Sequence, residues 1–547
     1  PITRLLLCFV ATAASASASA STSASSTKPP PPISLEAQTV CSVIQSKYPN
    51  QLIWNPRSPS ESAVQSFVNK EVVTSYLNVE SLSQRPACVF LPSKAEQVSF
   101  AVRTLNSYPS VRFGLKSGGH NPNVGFSTAI GGLLIAFRPN LRSIELGGPD
   151  SRSVVVGAGC KWKEVYAVLQ PTGKTVVGAR AGDVGVTGSV LGGGLSYLSA
   201  QYGLACDNVI SFECVLANGT IATASPTSHR DLFFALRGGG NQFAIVTRMI
   251  LRTVEVGQDG MVWGGMRIYA TTQSADLRLA IANFTANVAD PKAAVYPFFT
   301  FGHILGFSAH VSIVFYFYNG PDPGSVFQEF DRIPFVSGDL RRRTYESLHQ
   351  ELLGGEYHGA RVHFRMQSFP NLPPANTSAF LDRYFQAFQR AATAGSLSAL
   401  VGPRVSGFSV EPVPRSIAQI GGTNALSMDP RQGDRLWIFS FVAWTSTFCN
   451  DRCPAILKEV SDSMLELHKR EYAGIRPTNY VEGDDNSIEG EDNSIRYNPI
   501  FMNQASHDQR VLQSYGDATY QRLKAIHKAY DPQGLFSKRQ GGFRFAD

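Results

Sequence analysis

Three glycine-rich loops constrain the fold of this chain more than any other feature of its sequence. They occupy residues 116–121, 182–194 and 237–243, and each lies next to a run of strand-forming residues. Because glycine has no Cβ, such loops can turn tightly and bring backbone N–H groups close to an anionic ligand. One loop would be weak evidence, but three within about 125 residues predict a single site for a large cofactor that carries a pyrophosphate.

All three loops supply candidate cofactor contacts. Lys116 carries a point charge suited to a phosphate, and His120 places a nucleophilic ring nitrogen at the mouth of the first turn. A solvated surface lysine and an ordinary loop histidine are the alternative interpretations. The predicted contacts from the loops and the strand after them are Lys116, Ser117, Gly118, Gly119, His120, Asn121, Gly182, Asp183, Val184, Gly185, Thr187, Gly188, Ser189, Gly193, Asn241, Ile245 and Val246.

The hydrophobic pattern divides the chain into two folded parts. Strand-like and helical runs alternate up to about residue 256, which predicts an α+β domain over residues 33–256. Longer strand-like runs with amphipathic helices between them follow, and we assign residues 257–497 to a second, substrate-binding domain. Its sheet is expected to be covered by helices on one face and open to a ligand on the other.

The N-terminal residues have the composition of a secretory signal. Arg4 precedes a short apolar run at residues 5–11 and small residues suited to cleavage, so residues 1–18 are predicted to be a signal peptide. The apolar run is too short to span a bilayer. Residues 19–32, rich in Ser, Thr and then Pro, are predicted to be a disordered or O-glycosylated spacer. We therefore expect a secreted, extracellular protein, and the sequons at Asn218, Asn283 and Asn376 agree with that route.

Secretion changes the interpretation of the cysteines, because most should pair in an oxidising compartment. Of the eight cysteines, Cys8 lies in the signal, which leaves seven, and an odd number leaves at least one thiol without an intramolecular partner. We predict disulfides between Cys41 and Cys88 and between Cys449 and Cys453. The second pair also has the spacing of two ligands of a four-ligand metal site, but no matching cluster occurs elsewhere, so no metal is predicted.

The overall charge argues against a nucleic-acid partner. The net charge of +7 is modest for 547 residues, and no long Lys/Arg run is present. No segment after the signal has the length and uniform apolarity of a spanning helix, so a membrane partner is not expected either.

The order of four motifs carries a family resemblance. They are residues 116–120, the Val-Gly-Val-x-Gly-x-x-x-Gly-Gly-Gly run at 184–194, residues 231–240 and the tail at 515–536. In this order they resemble the berberine bridge enzyme-like branch of the vanillyl-alcohol oxidase flavoprotein family, and most closely its fungal secreted members, over about residues 80 to 545. The resemblance implies a PCMH-type FAD-binding domain of two α+β subdomains (core about 83–256), a substrate domain with an antiparallel sheet, and a C-terminal segment (498–547) that returns to the FAD domain.

The resemblance also assigns roles to individual positions. His120 matches the histidine that bonds covalently to the flavin 8α-carbon in this family. Many members carry a second link from a cysteine near the position of Ala181, so a single covalent link is implied here. Val184 matches a position where a small β-branched residue accompanies oxygen access, which favours an oxidase. Asn503 matches a tail asparagine that approaches the flavin ring, and Phe501 stands where a tyrosine is common.

The expected function is that of a secreted FAD-dependent oxidase. The flavin would take hydride at N5 from an alcohol, an amine or a related small-molecule carbon, with secondary metabolism as one setting, and O2 would be reduced to hydrogen peroxide. The catalytic candidates on the substrate sheet are Tyr316, Tyr318 and His363, and spacing leaves Arg365 and Glu411 open as well. The alternatives are an oligosaccharide oxidase acting at the anomeric carbon and a flavin-retaining binding protein without turnover. The protein is expected to be a monomer.

Overall fold

The computed structural model describes residues 33–54, 75–148, 150–304, 307–350, 359–394, 404–481 and 499–545. The predicted signal and spacer lie outside these residues. Within them the chain forms three sheets. No helix in the described part is both long enough and apolar enough to cross a membrane.

The first sheet has four strands in the order β1-β2-β4-β3. They are β1 (Leu52–Trp54), β2 (Cys88–Phe90), β3 (Phe113–Lys116) and β4 (Leu133–Ala136), accompanied by helices α1 (Leu35–Lys47) and α2 (Ala95–Asn106). β2 and β3 both pair with β4 in parallel, and these short strands are almost wholly buried, as parallel strands under helices usually are. The first glycine loop therefore begins where β3 ends.

The second sheet is antiparallel, in the order β5-β6-β10-β8-β9, with β7 paired to the far end of β10. Its strands are β5 (Ile144–Gly147), β6 (Ser153–Gly157), β7 (Lys174–Val176), β8 (Val209–Val215), β9 (Ile221–Ala224) and β10 (Ile245–Glu255). The helices of this part are α3 (Trp162–Leu169), α4 (Val186–Leu191), α5 (Ser199–Tyr202) and α6 (Arg230–Leu236). The second glycine loop surrounds α4, and the third leads into the central strand β10.

The third sheet has eight strands, all antiparallel, in the order β14-β11-β13-β12-β17-β18-β16, with β15 beside β11. The strands are β11 (Met261–Ala270), β12 (Ala293–Ile304), β13 (Phe307–Tyr318), β14 (Ser337–Gly338), β15 (Arg341–Thr344), β16 (Arg361–Pro370), β17 (Arg404–Val413) and β18 (Arg435–Trp444). The helices are α7 (Ser274–Asn287), α8 (Gln328–Asp331), α9 (Tyr345–His349), α10 (Pro374–Ala394), α11 (Arg415–Gly421) and α12 (Arg452–Glu471). α7, α10 and α12 pack on one face in a single apolar cluster, and the α+β class predicted from the sequence, with a helix-covered antiparallel sheet, is confirmed.

The last described residues return to the first two sheets. α13 (Asp517–Tyr530) and α14 (Leu535–Arg539) follow a loop that contains Ala505. The Asn123 side chain donates a hydrogen bond to the Ala505 carbonyl at 2.9 Å. The Arg539 guanidinium then donates to three carbonyls at the C-terminal end of α2 and the turn after it, those of Leu105, Tyr108 and Val111. These contacts hold the tail against the glycine loops.

The structure contains both predicted disulfides. Cys41–Cys88 joins α1 to β2, and Cys449–Cys453 lies at the start of α12. The three remaining described cysteines, Cys160, Cys206 and Cys214, are buried and reduced. Burial raises the pKa of the Cys160 and Cys214 thiols to about 12, so neither thiol is ionised near neutral pH or suited to act as a nucleophile.

Candidate active site

A cavity of 390 Å³ lies between the glycine loops and the open face of the eight-stranded sheet. The first two loops form one wall because they pack backbone to backbone. A Cβ added at Gly118 would lie 2.5 Å from the Gly185 nitrogen, and one added at Gly185 would lie equally close to the Gly118 nitrogen. Only glycine therefore allows this contact at both positions.

The loop wall fits a phosphate-bearing cofactor. The backbone amides of Gly118 and Gly119 donate to no other residue among those the structure describes. Gly188 also lines the cavity, and a Cβ added there meets no protein atom within 4 Å. A pyrophosphate needs backbone N–H donors that face open space, and glycine leaves room for its oxygens because it has no side chain.

Most of the predicted cofactor contacts line this cavity. From the first loop they are Ser117, Gly118, Gly119, His120 and Asn121, from the second Val184, Gly185, Thr187, Gly188 and Ser189, and from the remainder Asn241, Val246 and Asn503. The structure therefore brings residues from all three loops and from the tail to one cavity.

Five predicted contacts lie elsewhere: Lys116, Gly182, Asp183, Gly193 and Ile245. The Lys116 ammonium group is buried and lies 4.5 Å from the centre of the Tyr76 ring, behind the loop that it precedes. Asp183 turns away from the cavity to form ion pairs with two lysines of the α3 segment, at 3.2 and 2.8 Å. The Ile245 side chain packs in the apolar core around the first sheet. Side chains alternate along β10, so Val246 faces the cavity instead.

The two glycines on this list support the loops from behind. The Gly182 amide donates to the His349 carbonyl at 3.3 Å, and a Cβ added at Gly193 would meet the Leu426 side chain at 3.1 Å. They connect the second loop to α9 and to the segment after α11 without facing the cavity.

Asn503 holds the second glycine loop in place. Its amide nitrogen donates to the Gly188 carbonyl at 3.2 Å, and its carbonyl oxygen accepts from the Gly194 amide at 3.0 Å. A Cβ added at Gly192 would lie 2.3 Å from the same side chain. Phe501, two residues earlier, lines the cavity and stacks on Trp437, with ring centres 4.4 Å apart.

Four polar side chains meet at the junction of the loop wall and the sheet, and we call them the polar corner: Arg180, Tyr296, Glu411 and Gln504. The Glu411 carboxylate is wholly buried, with a guanidinium nitrogen of Arg180 at 3.0 Å and the Gln504 amide donating to it at 2.6 Å. The Arg180 guanidinium lies 3.5 Å above the centre of the Tyr296 ring. All except Glu411 line the cavity, so the carboxylate lies directly behind it.

Burial and charge set the protonation states of the polar corner. Burial alone would lower the pKa of Arg180, but the Glu411 carboxylate outweighs it and raises that pKa, so the guanidinium stays charged. Burial raises the pKa of Tyr296 well above its usual value, against the lowering effect of Arg180, and the negative charge of the nearby Glu411 carboxylate adds to the rise. Tyr296 is therefore a neutral phenol near neutral pH, placed between the cavity and a carboxylate.

The predicted catalytic tyrosines lie on the other face of the sheet. Tyr316 and Tyr318 do share a face, as alternation along β13 requires, but that face is the one beneath the helices. The Tyr316 hydroxyl bonds to Tyr269 at 2.5 Å, and the Tyr318 hydroxyl donates to Asp290 at 2.9 Å. Their neighbour Phe315 faces the cavity instead.

His363 and Arg365 connect the sheet to the returning tail. His363 Nε2 lies 3.2 Å from the Ser506 hydroxyl, and Arg365 forms an ion pair with Asp508 at 2.8 Å. Neither side chain is among the described residues that line the cavity. Burial lowers the pKa of His363 to about 4, with His507 adding to the shift, so it is neutral near pH 7.

Sequence reasoning missed Arg180 and Tyr296 as site residues. Arg180 adjoins Ala181, the position examined for a second flavin link, and it is a charged residue within a run of small apolar ones. Along β12, Tyr296, Phe298 and Thr300 line the cavity, whereas Phe299 and Phe301 pack beneath the helices. Aromatic residues occupy both faces of this strand, so the hydrophobic pattern could not show which face was open.

Comparison with known proteins gives the family. A domain family described as an FAD binding domain matches residues 86–225. An uncharacterised FAD-linked oxidoreductase of Arthroderma benhamiae is 33% identical over 485 residues, which cover 86% of this chain and 89% of the relative. The bifunctional solanapyrone synthase of Alternaria solani is 27% identical over 510 residues, covering 92% of this chain and 88% of that enzyme.

Solved structures share the fold at lower identity. 6-Hydroxy-D-nicotine oxidase from Arthrobacter nicotinovorans superposes with a TM-score of 0.67 at 19% identity, over 94% of this chain and 99% of that one. A variant of berberine bridge enzyme gives a TM-score of 0.63 at 18% identity, over 93% of this chain and all of that one. Together with the glycine loops that form one cavity, these likenesses show that the chain belongs to the FAD-linked oxidoreductases and shares the fold of berberine bridge enzyme.

Proposed function

We propose that this protein is a secreted FAD-dependent oxidase that acts on a carbon bearing a hydroxyl or amino group in a small molecule. When bound, FAD supplies the hydride acceptor and passes the electrons to O2, which yields hydrogen peroxide. The protein must hold the substrate beside the flavin, exclude water and accept the proton that the substrate loses. The arrangement of the cavity supports each of these tasks.

The observation that carries the proposal is the position of Tyr296. Of the described residues that line the cavity, it is the only phenol, and its pKa responds to burial, to Arg180 and to the neighbouring buried Glu411 carboxylate. A substrate hydroxyl at the cavity wall can give its proton to the phenol oxygen while the phenol proton passes to Glu411. The proton then resides on the carboxylate, and Arg180 and Gln504 hold that carboxylate in position.

Substitutions in the polar corner test this proton path. Tyr296→Phe and Glu411→Gln should each lower the rate of flavin reduction by about 10²–10⁴-fold, the usual contribution of a positioned acid or base. Flavin content and absorption spectrum should stay unchanged. Tyr316→Phe makes the same chemical change on the other face of the sheet and should leave the rate within about twofold of the original protein. Equal losses in Tyr296→Phe and Tyr316→Phe would reject the assignment.

We also propose that the flavin is attached covalently through His120 alone. His120 lines the cavity at the end of the first glycine loop, and no cysteine is among the described residues that line it. Ala181 lines the cavity instead of the cysteine that the family resemblance would place there. The protein, denatured in acid and separated on a gel, should show a fluorescent band under ultraviolet light, and His120→Ala should abolish that band. A wild-type protein that releases its yellow colour on denaturation would refute the covalent bond, and a colourless one would refute the oxidase.

One of the three glycosylation sequons lies at an exposed position. Asn218 lies in an exposed turn after β8, whereas Asn283 and Asn376 are half-buried on helices. Secretion with a glycan at Asn218 would appear as a mass decrease on enzymatic deglycosylation that is absent from Asn218→Gln. We expect the secreted protein to sediment as a monomer.

A further inference from the structure

The sheet wall of the cavity is almost entirely apolar. Of the residues that it contributes, only Tyr296 and Thr300 carry a polar side-chain atom. The sheet residues are Ile268, Tyr296, Phe298, Thr300, Val311, Ile313, Phe315, Phe364, Val405, Phe439 and Phe441. We call the five phenylalanines of this set the aromatic chamber.

The rings of the aromatic chamber contact one another between strands of the sheet. Phe298 lies 6.0 Å from Phe315 and 6.3 Å from Phe441, edge to face in both cases. Phe364 and Phe439 meet edge to face at 4.7 Å. These contacts hold the rings in fixed orientations, so the chamber presents a rigid hydrocarbon surface.

The backbone beneath these rings has little hydrogen-bonding capacity to offer a ligand. β12 is paired on both sides, with β13 through Phe298 and Ile313 and with β17 through Phe298 and Ser409. A sugar placed here would exchange its hydration for phenyl rings and leave several hydroxyl groups without partners. On the sheet wall, the polar side chains that could meet a ligand are Thr300 and, at the polar corner, Tyr296.

We propose that the substrate is a largely hydrocarbon ring system carrying one oxidisable hydroxyl or amino group. Its apolar body occupies the aromatic chamber, and its polar group lies at the polar corner, in contact with Tyr296. This inference deepens the proposed function, on which the orientation of the substrate rests. It selects against oligosaccharides, and it makes Phe298, the half-buried ring in the middle of the chamber, a determinant of specificity.

Calorimetric titration of the flavin-loaded protein under anaerobic conditions tests the inference without turnover. The probes are 2-naphthylmethanol and cellobiose. Because the chamber removes apolar surface from water, 2-naphthylmethanol should bind at least tenfold more tightly than cellobiose. Phe298→Thr should weaken binding of 2-naphthylmethanol roughly tenfold, since a phenyl ring is lost from its contact surface.

The control makes the same substitution at a surface phenylalanine. Phe448 is 78% exposed and lies before α12, outside the cavity. Phe448→Thr should leave both affinities unchanged. Tighter binding of cellobiose, or an unchanged naphthyl affinity in Phe298→Thr, would overturn the inference.

Peroxide release from the same two compounds separates this inference from the proposed function. Oxidation of cellobiose but not of 2-naphthylmethanol would overturn the substrate class and leave the oxidase standing. Tight, Phe298-dependent binding of 2-naphthylmethanol, with no peroxide from any alcohol, amine or sugar, would support the proposed ligand class and refute the proposed oxidase activity.

Discussion

The ion pair between Arg180 and Glu411 should be one of the most strongly coupled pairs in the protein. Its atoms are 3.0 Å apart, and the two side chains are only 10% and 1% exposed. At that distance and an effective dielectric constant of about 20, the attraction between unit charges is about 5–6 kcal/mol. The cost of removing both charges from water offsets much of this, so the pair as a whole adds little net stability.

Removing one partner alone exposes that cost. Arg180→Met leaves a carboxylate in the core without its counter-charge, and the free energy of unfolding should fall by about 3–5 kcal/mol. Glu411→Gln should cost less, because the guanidinium keeps its contact with the Tyr296 ring, worth about 2 kcal/mol when desolvated. The double variant removes both charges and should recover at least about 2 kcal/mol relative to the sum of the single losses.

Urea unfolding followed by tryptophan fluorescence measures these free energies. The matched control is Arg152→Met, which breaks an exposed pair with Asp150 whose atoms are 2.7 Å apart and whose side chains are 84% and 53% exposed. That change should cost less than about 1 kcal/mol. If the two single losses at Arg180 and Glu411 simply add, or if Arg152→Met costs as much as Arg180→Met, the argument from burial is refuted.

Two further predictions concern the flavin loop and acid stability. Gly188→Ala should stabilise α4 by up to about 1 kcal/mol in the flavin-free protein, since alanine is the better helix former. It should lower the flavin content, because the added methyl group enters the cavity. A variant that retains full flavin would show that the cofactor lies elsewhere. Burial lowers the pKa of His349 to about 4 from an ordinary 6.5, so the unfolded chain takes up this proton at a higher pH than the folded chain does. The free energy of unfolding should therefore fall as the pH drops below about 6.5, by about 3 kcal/mol at pH 4. His349→Gln should flatten urea midpoints measured between those pH values, and an unchanged slope would exclude this histidine as the cause.

The elements of this fold were predictable where their patterns were long and repetitive. The longer strand-like runs after residue 256 became strands of the third sheet, among them β12, β13, β16 and β18. The glycine loops could be assigned to one site because backbone-to-backbone packing, as between Gly118 and Gly185, has no substitute for glycine.

The face of the sheet that lines the cavity was not predictable, for a physical reason. A sheet with aromatic side chains on both faces has the same hydrophobic pattern whether a face is packed by helices or lines a cavity, and Tyr316 and Tyr296 differ only in that respect. The polar corner depends on Arg180 meeting Glu411 across 231 positions of sequence, and such a contact leaves no local signal. The sequence offered Glu411 as a candidate but not Arg180, and it could not show that the two meet.

The returning tail gives this protein an order of assembly. The cavity takes parts of its wall from residues 117–121 and also from residues 501–504 and 542–543, and Asn503 fixes the loop around Gly188. During synthesis the glycine loops emerge long before the tail. They therefore lack the hydrogen bonds of Asn503 while more than three hundred residues are added. A nascent chain that lacks residues 501–504 therefore cannot hold a flavin in the finished geometry, so flavin should bind only after this segment has been synthesised.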